Sequence, residues 1–267
     1  MRPIAPLGRR RVAVTAVDDV GAYRVLRVAD RSGPLPAAGQ FYMLATVQRW
    51  GGGGDERPYL PRAFSFLSAG DGELRFMFED VGPGTHRLGE LVAGDELWIT
   101  GPLGAGFRPP GDHRRALLAG GGIGIPPLAA WASELGSRPL ALLGFRDGEH
   151  AAGAALIEDQ ARVRVATDDG SLGHHGLVTE LLAAELARDG RCVVYSCGPP
   201  RMLEAVRALC AEHDVPAQLA LEAGMACGFG ACYGCVVALR DGGYARLCVD
   251  GPVLDAERLQ PLAEDAH

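Results

Sequence analysis

Over the first hundred residues short runs rich in apolar, β-prone positions recur between clusters of turn residues, the pattern of a series of strands. The pattern predicts strands over Arg11 to Val17, Tyr23 to Val28, Gln40 to Val47, Glu73 to Phe78 and Glu96 to Thr100, with turn residues between them. A further run, Pro61-Arg62-Ala63-Phe64-Ser65-Phe66, has the same character. Short β-rich segments at this spacing predict a small barrel. Gly82-Pro83-Gly84-Thr85 then precedes an amphipathic stretch, His86 to Val92, that predicts a short helix. At Gly101-Pro102-Leu103-Gly104 the chain turns sharply and is expected to leave the barrel.

After Arg114 the period changes. Apolar strands at Ala116 to Ala119, Pro139 to Gly144, Arg162 to Thr167 and Cys192 to Cys197 alternate with helical patterns that end near Leu135 and span Val178 to Ala187 and Pro200 to His213. This alternation predicts a doubly wound parallel sheet with its ligands at the carboxyl ends of the strands. Three loops fall at that rim: the glycine run 120–124, Thr167-Asp168-Asp169-Gly170-Ser171, and Cys197-Gly198-Pro199. A glycine-rich strand-to-helix turn lets the backbone approach a pyrophosphate, and the helix N-terminus behind it favours an anion. Each loop alone is also ordinary turn chemistry. Their convergence makes Gly121, Gly122, Gly124, Asp168, Cys197, Gly198 and Pro199 the candidate dinucleotide contacts. Cys192 and Cys210 read as buried packing thiols, and His174 and His175 as loop residues.

Length and charge narrow the class. At 267 residues the chain is long for one domain and predicts two domains plus a small tail. A net charge of −7 argues against nucleic acid or an anionic membrane as the main partner. All 26 basic residues are arginine and asparagine is absent, a bias that drains the arginine count of functional meaning. The longest apolar stretch, Ala116 to Ala132, is broken by glycines and prolines and predicts no membrane span. The N-terminus has no apolar leader, so a cytoplasmic protein is expected.

Four of the seven cysteines form a set near the C-terminus, Cys227, Cys232, Cys235 and Cys248, spaced Cys-x4-Cys-x2-Cys-x12-Cys. The first three converge from one glycine-rich loop and the fourth returns from a separate strand. The x4/x2 spacing is that of plant-type [2Fe–2S] sites. Zinc is the rival occupant, although zinc frameworks usually come as two Cys-x2-Cys pairs.

Taken together, Arg62-Ala63-Phe64-Ser65, Gly84-Thr85, Gly101-Pro102-Leu103-Gly104, the glycine run 120–124 and Cys197-Gly198-Pro199 resemble the ferredoxin–NAD(P)H reductase superfamily along nearly the whole chain. Leu221-Glu222 ahead of Met225-Ala226-Cys227, and the short return to Cys248, are similar to the electron-transfer subunits of NAD-dependent dihydroorotate dehydrogenase B. Complete ferredoxin domains place the fourth cysteine further on. The resemblance implies an FAD-binding β-barrel over 1–107, an NAD-binding α/β domain over 108–215 and a [2Fe–2S] subdomain over 216–267. It places Arg62 at the FAD pyrophosphate, with Ala63 beside it, Phe64 on the flavin and Ser65 near its reactive edge. Met77, Phe78 and Glu79 run past the cofactor, and Gly84 and Thr85 contact phosphate. Two departures stand out: Gly224 replaces a frequent arginine, and the loop Arg49 to Glu56 is extended.

The implied partner is an FMN-containing dihydroorotate dehydrogenase catalytic subunit in a hetero-oligomer, with NAD+ as the acceptor. A cluster moves single electrons and a nicotinamide takes a hydride, so a chain bearing both needs a flavin between them. Two other readings fit parts of the pattern. One is a related reductase subunit serving ferredoxin, sulfide or a hydrogenase with NAD(P)H, and the other is a zinc-binding interaction module. Arg146 and Arg201 lie near adenosine-side loops, where a cation would favour NADP.

Overall fold

The structure, a computed structural model, describes residues 8–51, 58–111 and 113–262. Most of the glycine-rich excursion at Gly51 to Gly54, and of the extended loop Arg49 to Glu56, lies outside the described residues.

Six strands, β1 (Arg10–Val20), β2 (Tyr23–Ala29), β3 (Phe41–Thr46), β4 (Arg62–Gly70), β5 (Glu73–Phe78) and β6 (Glu96–Leu103), close a barrel in the order β1-β2-β5-β4-β3-β6. Alternation sets the inner face: Val12 and Val14 of β1 and Leu97 and Ile99 of β6 are buried in the barrel core. The β4–β5 hairpin turns on Asp71-Gly72, both at positive φ (52° and 76°), as a two-residue hairpin loop requires. β6 does not stop at Thr100. It runs on through a cis Gly101-Pro102 bond because Leu103 still pairs with Phe41 of β3. The short helix α1 (Pro83–Gly89) starts earlier than the amphipathic pattern predicts, since Pro83 is pre-set for a first helical turn.

The second layer begins with β7 (Arg115–Gly121), followed by α2 (Ile125–Leu135), β8 (Leu140–Phe145), α3 (Gly148–Ala151), β9 (Arg162–Thr167), β10 (His174–His175), α4 (Val178–Arg188), β11 (Cys192–Cys197) and α5 (Pro200–Glu212). The tail adds β12 (Ala217–Ala220), β13 (Val236–Ala238), β14 (Tyr244–Arg246) and β15 (Val253–Asp255). The sheet order is β10-β9-β8-β7-β11-β12-β15, parallel except for β15. The chain order reverses between β7 and β11, which makes the crevice above those two strands the switch point. Strands β12 and β15 bracket the cysteine loop, and β13 pairs with β14 as a separate ribbon.

Two hydrophobic cores result. In the first, the barrel interior continues into α2 and one face of the sheet. Phe107, Trp131 and Tyr195 pack there with ring centroids 5.2–5.7 Å apart, and the Tyr195 hydroxyl donates to the Arg108 carbonyl at 2.9 Å, fastening the interdomain crossing. In the second, α4 and α5 cover the other face of the sheet. Phe41, Met43 and Leu103 of the barrel wall join that core, together with Cys235 and Cys248. All six residues of β3 are therefore buried: one face fills the barrel and the other meets the tail. Among the described residues no helix is long and apolar enough to cross a membrane.

Candidate cofactor and redox sites

On the barrel side, Ala63, Phe64 and Ser65 of β4 and Met77 of β5 line one wall of a cavity of about 190 Å³. Its other walls are Ile123 and Pro126 at the start of α2, and Leu221, Glu222 and Met225 from the tail. Phe64 meets the buried Phe78 edge-on at 6.2 Å, so Phe78 supports that ring from below. Arg62 lies against Gly84, where an added Cβ would come 2.6 Å from Arg62 Nε. Only glycine admits the guanidinium this close to the start of α1. The Thr85 hydroxyl accepts the N–H groups of Val81 and Gly82 at 2.9 and 3.0 Å, so it shapes this loop from within. Glu79 points the other way, to Arg146 at 2.6 Å.

The rim of the sheet gathers most of the expected dinucleotide residues. An added Cβ on Gly124 would lie 2.1 Å from the Cys197 carbonyl oxygen, and one on Gly121 would press on Met202 and Pro199. Gly122 and Gly198 both hold positive φ, 51° and 157°. Gly121 and Gly124 thus pack against Pro199 and Cys197 at the switch point, and Gly122 and Gly198 lie in the same two loops. Asp168 stands apart, just past β9 on the side away from β11, its N–H bonded to the Phe145 carbonyl. Asp169 beside it is engaged locally, accepting from the Ser171 hydroxyl at 2.6 Å.

Burial drives the Cys197 thiol well above its ordinary range, and the nearby Glu222 carboxylate pushes the same way. It is a neutral packing thiol at the crevice wall. Cys192 and Cys210 are buried as expected. His174 and His175 are exposed, and His174 bonds Glu180 at 2.6 Å. Glu222 joins the barrel residues at this cavity although no motif gives it a role. Its carboxyl opens onto the cavity yet is ringed by enough protein to be raised above the ordinary range. A lone acid directly after a buried apolar strand, at the ligand end of the sheet, is the signal that marks it.

The four tail cysteines come together as two pairs. Burial opposes the Cys227 thiolate, but the N–H groups of Phe229, Cys232 and Ala231 and the Cys232 side chain outweigh it, bringing the thiol down to about 6. Cys248 hydrogen-bonds Cys235, its own N–H lying 3.5 Å from the Cys235 sulfur. Burial and then that neighbour push the Cys248 thiol up to about 12. Two thiols per pair, with backbone N–H groups aimed at sulfur, fit a two-iron cluster held by four cysteines. Among the described residues no group of three or more His, Cys, Asp or Glu side chains is arranged to hold a single metal ion. The loop sits on the barrel wall: an added Cβ on Gly228 would meet Met43 at 2.6 Å. Cys232 is exposed and Cys227 half-buried, while Cys235 and Cys248 are sealed in the core.

Residues 222–260 match the family model of the iron–sulfur cluster binding domain of dihydroorotate dehydrogenase B. Over 231 residues the chain is 35% identical to the dihydroorotate dehydrogenase B (NAD+) electron transfer subunit of Caldanaerobacter subterraneus, covering 85% of this chain and 88% of that protein. The chain belongs to the dihydroorotate dehydrogenase B electron transfer subunit family. The Listeria monocytogenes subunit of the same name is 38% identical over 192 residues, 69% of this chain and 74% of that protein. The fold of this family member is also that of the NADH-dependent reduced ferredoxin-NADP oxidoreductase, with a TM-score of 0.75 at 23% identity over 94% of this chain and 90% of that one. The ferredoxin reductase of carbazole 1,9a-dioxygenase superposes with a TM-score of 0.68 at 24% identity, covering 80% of this chain and 68% of that one.

Proposed function

We propose that this chain is the electron-transfer subunit of an NAD-dependent dihydroorotate dehydrogenase, carrying electrons from a partner FMN-containing catalytic subunit to NAD+ in pyrimidine biosynthesis. Residues 1–107 bind FAD, 108–215 bind NAD+ and 216–267 hold a [2Fe–2S] cluster. The carrying observation is one of adjacency: Met225 lines the same cavity as Phe64 and Ser65, and Cys227 follows two residues later. The tail residue that closes the flavin cavity and the first cluster cysteine are therefore near neighbours in the chain.

Bound FAD supplies the exchange between single-electron and hydride transfer that a cluster and a nicotinamide cannot perform on each other. The chain's own residues hold and shield. Phe64, backed by Phe78, and Ser65 orient the flavin ring, Arg62 over Gly84 meets its pyrophosphate, and Cys227, Cys232, Cys235 and Cys248 ligate the cluster. Gly121, Gly122 and Gly124 admit the NAD+ pyrophosphate, Asp168 accepts from the adenosine ribose, and Cys197, Gly198 and Pro199 wall the nicotinamide. Phe229, Tyr233, Val236 and Tyr244 are exposed around the cluster loop, a surface suited to a partner protein. Free thiols in all seven cysteines suit a reducing compartment, and we place the protein in the cytoplasm.

Co-expression with a candidate FMN-containing dehydrogenase tests this reading. The expected result is a coloured complex that forms orotate from dihydroorotate with NAD+. Recovery with a ferredoxin or a hydrogenase in place of that partner, or dihydroorotate oxidation by this chain alone, would overturn it.

A further inference from the structure

Arg246 ends β14 opposite Val236, the residue that follows Cys235. Its backbone is fixed on both sides. The N–H donates to Asp250 Oδ2 at 3.0 Å, and the carbonyl accepts from Val249 and Asp250 at 3.0 and 2.7 Å. From that fixed point the side chain reaches back over the cysteine loop. Nη1 donates to the Gly230 carbonyl at 3.3 Å, the guanidinium lies 5.4 Å from the centroid of the Tyr233 ring, and Nε is 3.5 Å from Asp250 Oδ2. Gly230 lies between Cys227 and Cys232, Tyr233 lies between Cys232 and Cys235, and Asp250 is two residues past Cys248. One planar cation, itself carried on the segment between Cys235 and Cys248, therefore touches both intervals between the first three cysteines and the stretch after the fourth. Gly230 is shaped for this contact: its φ is 86°, and an added Cβ would lie 3.2 Å from Arg246 Nη1 and 2.7 Å from Val249.

We infer that Arg246 is a positioning residue that holds the ligand loop closed and raises the cluster's reduction potential, with Asp250 as its counterweight. The inference rests on the cluster reading above. Reduction places one electron, and so one further negative charge, inside the loop, with no bond made or broken in the protein. A guanidinium fixed against that loop favours the reduced form, and the Asp250 carboxylate offsets part of the effect. Two opposite charges on one anchor give the idea a sign test.

The measurement is an EPR-monitored redox titration of the FAD- and cluster-loaded full chain, with dithionite as reductant. Arg246→Met, which keeps an unbranched stem and loses charge and fork, is expected to lower the reduced-to-oxidised ratio at fixed potential about tenfold, which for one electron is about 59 mV. Asp250→Asn, which can still accept the Arg246 N–H, is expected to shift the midpoint the opposite way. Arg246→Lys keeps the charge without the planar fork. It should hold the midpoint near that of the parent while losing iron to a chelator several-fold faster. Midpoints for Arg246→Met and Asp250→Asn that both stay within about threefold of the parent ratio would overturn the inference. Should Arg246→Met fail to assemble a cluster, the sign for Asp250→Asn decides: a rise supports the inference, and no change or a fall sinks it. A parent protein that is colourless and binds zinc removes the cluster reading and this inference with it, whereas a parent with a normal cluster signal and unmoved variants removes the inference alone.

Discussion

Arg146, one residue past β8, donates through Nη2 to the Glu79 carboxylate, one residue past β5, at 2.6 Å, and so ties the sheet rim to the barrel. Behind the pair, His150 bonds both Arg146 and Asp147, and its ring meets Tyr23 edge-on at 5.5 Å. The Arg146 side chain is 60% exposed, so the ion pair contributes only about 0.2–1 kcal/mol and leaves the cation available to a nucleotide phosphate. Arg146→Ala is expected to raise KM for NADH roughly 3- to 10-fold, the loss of one exposed charge contact, with kcat towards ferricyanide unchanged. Steady-state kinetics with NADH and NADPH check it. A larger loss with NADPH would assign the contact to the 2′-phosphate.

Glu222 gives the fold a pH dependence of known sign. Burial raises its carboxyl in the folded state, so folding there favours the protonated form. Its contribution is fully present below the unfolded value of about 4.3 and is lost as pH rises through the higher folded value. Glu222→Gln removes the penalty. The variant should melt roughly 1–3 °C higher than the parent at pH 7.5, a modest gain because the carboxyl still meets water in the cavity. The difference should narrow towards pH 5. Thermal melts at the two pH values measure it, and a lower melting temperature for the variant at pH 7.5 contradicts the sign.

Gly124 shows what the rim demands of its backbone. An added Cβ would stand 2.1 Å from the Cys197 carbonyl oxygen and 2.4 Å from its carbon, both main-chain atoms of β11, an inner strand of the sheet. Neither side can yield as a flexible side chain would. Gly124→Ala should cost about 1–3 kcal/mol of stability, the range for forced overpacking. It should also displace the Cys197-Gly198-Pro199 loop enough to weaken NAD(H) binding. Melting curves and equilibrium titration with NAD+ test the two effects separately.

The parts of this protein written in short-range pattern were legible from sequence. Apolar, β-prone runs between turn residues carried the barrel strands, and the Cys-x4-Cys-x2-Cys run singled out the tail cysteines that the fold gathers around one loop. What stayed hidden depends on contacts between distant residues. Nothing near residue 101 says that β6 continues to Leu103; its pairing with Phe41, some sixty positions earlier, decides that. The four-residue α3 is too short for a hydrophobic period, and only the Asp147 carboxylate accepting the His150 N–H marks its start. β12 and β15 read as tail, yet they complete the sheet, because Gln218 pairs with Asp255 across the whole cysteine loop. Glu222 and Arg246 acquire roles only when that loop is folded back against the cavity and the barrel wall.

Cys232 offers the sharpest separation of the two halves of the site. It is the exposed member of the proposed ligand set, paired with Cys227 and touched by the Gly234 N–H at 3.5 Å. A serine hydroxyl fills nearly the same space but is a far poorer iron ligand than a thiolate. The cavity walls at Ala63, Phe64, Ser65 and Met77 belong to the barrel and make no use of Cys232. Cys232→Ser should therefore retain FAD and its NADH-driven reduction of ferricyanide, a one-electron acceptor that takes two single electrons per NADH from the flavin and needs only flavin and nicotinamide. Coupling to the partner subunit should fall by about 100-fold or more, at or beyond the roughly 10- to 100-fold that losing a ligand's outer-shell partner costs. Absorbance gives the cluster content, ferricyanide reduction gives the flavin half, and NAD+-dependent orotate formation by the reconstituted complex gives the coupled path. If orotate formation survived in a variant lacking its cluster, electrons would be reaching the flavin directly, and the loop from Cys227 to Cys235 would serve the partner interface alone.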